Sequence, residues 1–111
     1  MAVTGVNREQ FLSDLGIDQK SKVFLSVGRL TTQKNQMLLI NAFAEFCKKN
    51  SQFILILLGE GALKENLEVQ ISALNLSKKV FLLGARSDVY KFYAIADFLV
   101  STSVIEGLSI A

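Results

Sequence analysis

The sequence of 111 residues has no histidine and one cysteine, Cys47. That excludes the usual zinc spacings and any histidine-based triad within this chain. Any catalysis must then rest on carboxylates, hydroxyls, Lys or Arg. A lone cysteine cannot close an internal disulfide, so the expected setting is reducing and cytoplasmic. No apolar run approaches the length of a membrane span. The opening MAVTGVNREQF lacks both the basic region and the apolar core of a secretion signal. A net charge of +2, without a basic stripe interleaved with aromatics, argues against nucleic acid as a partner. Internal repeats, linkers and low-complexity tracts are also missing.

What is present is a high apolar content, 50% of the residues, enough for one domain with a real core. Four short apolar runs bounded by small or polar residues read as strands: KVFLSV (22–27), FILILL (53–58), VFLL (80–83) and DFLVS (97–101). Their near-continuous hydrophobicity is that of strands buried on both faces, as in a parallel sheet covered by helices. Between them lie three amphipathic segments. The first, 33–50, places Leu39, Phe43, Phe46 and Cys47 on one face, with Thr31 and Thr32 available as caps and Lys34 in its first turn. The second, 62–76, spaces Leu63, Leu67, Ile71 and Leu74 by four, four and three and ends near Asn75. The third, 88–96, follows Ser87 and buries Val89, Phe92, Tyr93 and Ala96. The order βαβαβαβ with right-handed crossovers predicts a Rossmann-like, doubly wound α/β sheet in the order 3-2-1-4. Ahead of it, residues 1–21 read as a lead-in segment whose Phe11 and Leu15 dock on the helical layer.

In such sheets ligands bind beyond the carboxyl ends of the strands, at the switch in strand order. The first strand runs into VGRLTTQKN, where Gly28 permits a close backbone approach, Arg29 offers a planar fork of donors and Lys34 opposes the dipole of the following helix. No carboxylate occurs between Asp18 and Glu45. Two cations beside helix-terminal N–H groups suit a phosphate or diphosphate better than a solvated turn. Gly59 and Gly61 of LGEGALKEN are turn residues that either only turn or also border a ligand. Their GEG lacks the third glycine of a dinucleotide fingerprint and follows the wrong strand, which disfavours a nicotinamide-dependent dehydrogenase. Gly84 falls at the crevice, and Arg86 beside it is either solvated or functional. After the fourth strand, Glu106 stands among the hydroxyls of Ser101, Thr102, Ser103 and Ser109, where a carboxylate can accept hydrogen bonds from a sugar.

These stretches resemble, in order and spacing along nearly the whole chain, the retaining family 4 glycosyltransferases of the GT-B fold. VGRLTTQKNQMLLINAF is similar to the family's first strand and helix, and LLGEGALKENL and VFLLGARSDVYKFYAIADFLVSTSVIEGLSIA to the remainder, up to its paired-glutamate motif. The resemblance implies a UDP-, GDP- or ADP-sugar donor, a glycan or lipid acceptor, no cofactor and no metal, and no Asp-x-Asp motif occurs. It implies that Arg29 and Lys34 hold the diphosphate and that Glu106, first of the glutamate pair, meets the donor sugar. Gly28, Gly59, Gly61, Gly84, Arg86, Gly107, Leu108 and Ser109 complete the implied donor site. The second glutamate of the motif and the acceptor-binding N-terminal domain lie outside this sequence. Residues 22–111 are therefore expected to be part of a C-terminal donor-binding domain, cut within the motif. The isolated fragment is expected to be inactive and to self-associate, by pairing at the edge of its fourth strand or by exchanging its C-terminal segment between copies, and the parent to be cytoplasmic or peripheral at the inner membrane face. The alternative is a non-catalytic nucleotide-binding or interaction module on the same fold.

Overall fold

A computed structural model describes residues 5–31 and 35–101. The chain runs α1 (Arg8–Asp14), β1 (Lys22–Val27), α2 (Gln36–Phe46), β2 (Phe53–Leu58), α3 (Lys64–Ala73), β3 (Val80–Leu82), α4 (Val89–Ile95) and β4 (Phe98–Leu99). All neighbouring strands are parallel, and the sheet order is β3-β2-β1-β4, as the alternation of elements predicts. β1 and β2 form its spine, in register from Lys22 opposite Phe53 to Val27 opposite Leu58. β4 is shorter than expected and pairs with β1 only through Phe24–Phe98 and Leu25–Leu99.

The continuous apolar runs resolve into two cores because successive side chains leave a strand on opposite faces. On one face Leu55, Leu57 and Val80 meet Leu39, Ile40 and Phe43 of α2 and Leu67 and Ile71 of α3. On the other, Val23, Leu25, Ile54, Ile56 and Leu58 meet Leu12 of α1, Ile17, and Phe92 and Ile95 of α4. Burying each of these side chains is worth about 1.5–3 kcal/mol, and the alternation fixes which helix covers which face.

Three side chains expected in the core are exposed: Phe46 at 38%, Leu74 at 39% and Tyr93 at 48%. Helix ends explain the first two. α2 stops at Phe46, and α3 stops one residue before Leu74. There Asn75 adopts a left-handed conformation (φ 59°), its N–H bonds to the Ser72 carbonyl and the Leu76 N–H bonds back to the Ile71 carbonyl. This Schellman closure turns Leu76 inward to the place intended for Leu74. In α4 the inward face is set by Phe92 and Ile95, three apart, so Tyr93 rotates outward.

The lead-in segment contributes a helix that the sequence did not reveal. Phe11 sits edge-to-face on Phe92 at 4.9 Å, and Leu15 packs nearby as expected, while Leu12 is the side chain fully lost to solvent. Arg8 secures the arrangement. Its guanidinium donates to the carbonyls of Ser21 (2.7 Å), Gln19 (3.2 Å) and Ile95 (3.4 Å) and pairs with Asp97 at 3.0 Å. The same Asp97 oxygen accepts from the Val23 N–H at 2.7 Å, so one cluster ties α1, α4 and the starts of β1 and β4. Arg8→Ala is expected to destabilise the fold by about 1–3 kcal/mol, since it strands several acceptors at once. Urea unfolding followed by circular dichroism checks this, and an unchanged midpoint would contradict the role given to Arg8.

Candidate functional site

Beyond the carboxyl ends of the strands, three loops are stitched together by backbone hydrogen bonds that continue the sheet. The Gly28 N–H donates to the Leu58 carbonyl and the Gly59 N–H to the Gly84 carbonyl, each at 2.9 Å. Leu30 N–H then reaches the Glu60 carbonyl at 3.0 Å, and Leu63 N–H reaches the Leu30 carbonyl at 3.1 Å. The approach is close enough to exclude side chains. A Cβ on Gly59, whose φ is +140°, would overlap the Gly28 carbonyl, and one on Gly61 would overlap the backbone of Leu30. Both glycines of GEG are therefore required for packing as well as for turning.

The result is a cleft of about 550 Å³ lined by Gly28, Arg29, Gly59, Glu60, Gly61 and Arg86, with Val27, Leu58, Ala85 and Val89 as its apolar part. Five of the residues singled out from the sequence thus share one cleft. The sixth, Gly84, lies at its edge, where a Cβ would stand 2.9 Å from the Glu60 carboxylate. Lys34, Glu106, Gly107, Leu108 and Ser109 lie outside the described residues.

Arg29 is exposed, and among the described residues its guanidinium has neither an ion pair nor a hydrogen-bond acceptor. Its backbone is fixed instead. The Arg29 carbonyl accepts from the Thr31 N–H at 3.0 Å and from the side-chain amide of Gln36 at 2.7 Å. Gln36 is only 3% exposed, so a buried amide holds the loop that carries a free cation. Thr31 does not cap α2, and Thr32 lies outside the described residues. The N-cap is Asn35, in the left-handed region at φ 58°, and Lys34 precedes the cap instead of occupying the first turn. The dipole penalty expected of Lys34 therefore does not apply in that form. Asn is among the few residues that adopt this left-handed conformation readily.

Arg86 is neither freely solvated nor a free donor. Its Nε and Nη2 each bond one oxygen of Asp88 at 2.9 Å, and its guanidinium carbon lies 5.1 Å from the centre of the Phe92 ring. The hydrogen bonds to Asp88 raise the Arg86 pKa, and those from Arg86 hold the Asp88 carboxyl below its usual value. Arg86, held by Asp88, forms part of the cleft wall. Glu60 and Gln36 were missed from the sequence. Glu60 was legible as the polar residue between two turn glycines, whereas nothing local marks Gln36 as buried.

Residues 7–111, which contain every strand and the whole cleft, match the family described as glycosyl transferases group 1. The chain belongs to this family. Among its glycosyltransferase relatives is the N-acetylgalactosamine-N,N'-diacetylbacillosaminyl-diphospho-undecaprenol 4-alpha-N-acetylgalactosaminyltransferase of Campylobacter jejuni, 43% identical over 101 residues, covering 91% of this chain and 26% of that protein. Anabaena HepE, crystallised with UDP-glucose, superposes with a TM-score of 0.74 at 30% identity over 86% of this chain and 26% of its own. The C-terminal domain of a Francisella tularensis group 1 glycosyl transferase shares the fold, with a TM-score of 0.73 at 22% identity over 92% of this chain and 55% of its own. The chain spans about a quarter of the length of the curated relatives it matches.

Because the Asp88 pKa is depressed in the folded state, the Arg86–Asp88 pair stabilises the glycosyltransferase fold above the unfolded aspartate pKa of about 3.9. That contribution is lost as pH falls through the lower folded value. Asp88→Asn should accordingly be less stable than the parent at pH 6, and the gap should close toward pH 2 in chemical denaturation. A gap independent of pH would contradict the pair's contribution.

Proposed function

We propose that this chain forms much of the donor-binding surface of an enzyme that transfers a sugar from a nucleotide-diphosphate sugar to a glycan or lipid-linked acceptor, with retention and without a metal. The observation that carries the reading is the convergence of three strand-end loops on one cleft, whose lining includes the Arg29 guanidinium, without an ion pair among the described residues. The close-packed glycine backbone leaves room for a ligand above the rim, and Arg29 supplies charge where the diphosphate leaves. Of UDP, GDP and ADP as the nucleotide, UDP is favoured by the solved relatives, among them HepE with UDP or UDP-glucose.

In this reading the bond between the sugar's anomeric carbon and the diphosphate oxygen breaks with its electron pair on the diphosphate. The acceptor hydroxyl oxygen takes the same face of the sugar, and its proton passes to the departing phosphate. Arg29 and Lys34 stabilise the charge that develops there, and Glu106 holds the sugar hydroxyls. The remaining proposed donor contacts are Gly28, Gly59, Gly61, Gly84, Arg86, Gly107, Leu108 and Ser109. The proposal includes a lead-in segment at 1–21 and a partial nucleotide-sugar-binding domain at 22–111. It also takes the acceptor to be bound by another domain of a cytoplasmic or membrane-peripheral parent. Among the described residues no helix is long and apolar enough to cross a membrane.

Arg29→Ala in the parent enzyme is expected to cost about 2–4 kcal/mol of transition-state stabilisation, a fall in transfer of about 30- to 1000-fold with folding preserved. Initial rates with a panel of nucleotide sugars test this. Unchanged turnover would remove the diphosphate role, and nucleotide binding without any transfer would favour the non-catalytic module.

The isolated chain is also proposed to self-associate. Among the described residues β4 pairs with β1 alone, and its Phe98 and Leu99 are 49% and 51% exposed, an apolar edge suited to pairing with another strand. Light scattering over a dilution series should show mass falling with concentration, and a monomer throughout would contradict it.

A further inference from the structure

At the opposite end of the sheet, where the strands begin, a second concavity of about 500 Å³ opens between the turn after α1, the start of β2 and the turn from α3 to β3. Lys20, Lys78 and Lys79 line it, together with the hydroxyls of Ser51 and Ser77 and the amide of Gln52. The carboxylate in its lining, Asp18, is engaged in its own turn. One oxygen accepts from the Lys20 backbone N–H at 2.8 Å, while the Asp18 carbonyl accepts from the Ser21 N–H at 3.0 Å. Lys79 is held in place by donating from Nζ to the Ser51 carbonyl. Among the described residues none of the three lysines is in an ion pair.

Three ammonium groups around one concavity, set against a single carboxylate, repel one another unless an anion is present. Lysine binds phosphate as a point charge, and serine hydroxyls and a glutamine amide add donors suited to phosphate oxygens. The notch is separate from the cleft. Ile54, in the first half of β2, lines the notch, and Leu58, at the strand's end, lines the cleft, about 13 Å further along the strand axis.

We infer that this lysine notch binds a phosphate or diphosphate group, on a ligand distinct from the occupant of the cleft and independent of the donor reading above. A free polyphosphate and an anionic lipid headgroup present the same chemistry, and the test separates them. The isotope-labelled chain is titrated with inorganic pyrophosphate while backbone amide resonances are followed. The amides of Ser51, Gln52, Ser77, Lys78 and Lys79 are expected to shift together and saturate at about 1–10 mM. The double variant K20A/K78A, which removes side chains without a hydrogen bond or ion pair among the described residues, should weaken that binding at least about fivefold. Should the double variant fail to fold, K78Q alone takes its place, with a smaller weakening expected. In a second arm, co-sedimentation with phosphatidylglycerol vesicles is compared with phosphatidylcholine vesicles. Retention on the anionic vesicles that the variant reduces identifies a lipid headgroup as the source, and pyrophosphate binding without retention identifies a soluble phosphate. Either result supports the site. Amides around the notch that do not shift, or shifts that the variants leave unchanged, overturn it.

Discussion

The contact on which the site depends is between two backbones. Gly59 rests on the Gly28 carbonyl with no room for a Cβ, and Gly61 rests likewise on Leu30. Because the loops after β1 and β2 touch in this way, the sheet's hydrogen bonding extends past the last strand residues, from Gly28 to Leu58 and from Gly59 to Gly84. Three loops that would otherwise be independent become one rigid rim. The cleft is the space left above that rim, and its polar lining comes from the side chains that flank the glycines, Arg29, Glu60 and Arg86.

That rim is supported from below by a sheet buried on both faces. The same alternation that sends Leu55 and Leu57 to α2 and α3 sends Ile54, Ile56 and Leu58 to α1 and α4. Polar side chains, one buried and two partly exposed, do the positioning. Gln36 fixes the Arg29 carbonyl, and Arg8 with Asp97 fixes the opposite end of β1. Charge is distributed along the strands to match. Where the strands end, Arg86 is paired with Asp88 and Arg29 has no ion pair among the described residues; where they begin, three lysines share a concavity with one engaged carboxylate.

The sheet was legible in the sequence because its signals are local. FILILL, short, with two isoleucines and small or polar flanks, reads as a strand buried on both sides, and the four-residue spacing of Leu67 and Ile71 places them on one helical face. Gly28, Gly59 and Gly84 were legible for the same reason, as the first residues after apolar runs, and Gly61 as the second glycine of a turn. What escaped notice depends on residues far apart in the chain. α1 is held by Arg8 through partners at Gln19, Ser21, Ile95 and Asp97, and no window of sequence contains them all. Leu74 and Tyr93 were misassigned because a periodic pattern continues on paper past the point where a helix ends or rotates. The Arg86–Asp88 pair was visible as opposite charges two residues apart, yet the loop geometry that brings both nitrogens onto both oxygens was not. Membership of the glycosyl transferases group 1 family agrees with the order of these elements.

The central claim is that the glycine-packed rim and Arg29 form a nucleotide-diphosphate site. Amide shift mapping of the isotope-labelled chain with UDP addresses it most directly, because binding is read at the residues themselves without need of an acceptor. The account predicts shifts concentrated at Gly28, Arg29, Gly59, Gly61 and the stretch from Gly84 to Arg86, lost when Arg29 is replaced by Ala. Shifts confined to other parts of the chain, or none at UDP concentrations up to about 10 mM, would contradict it.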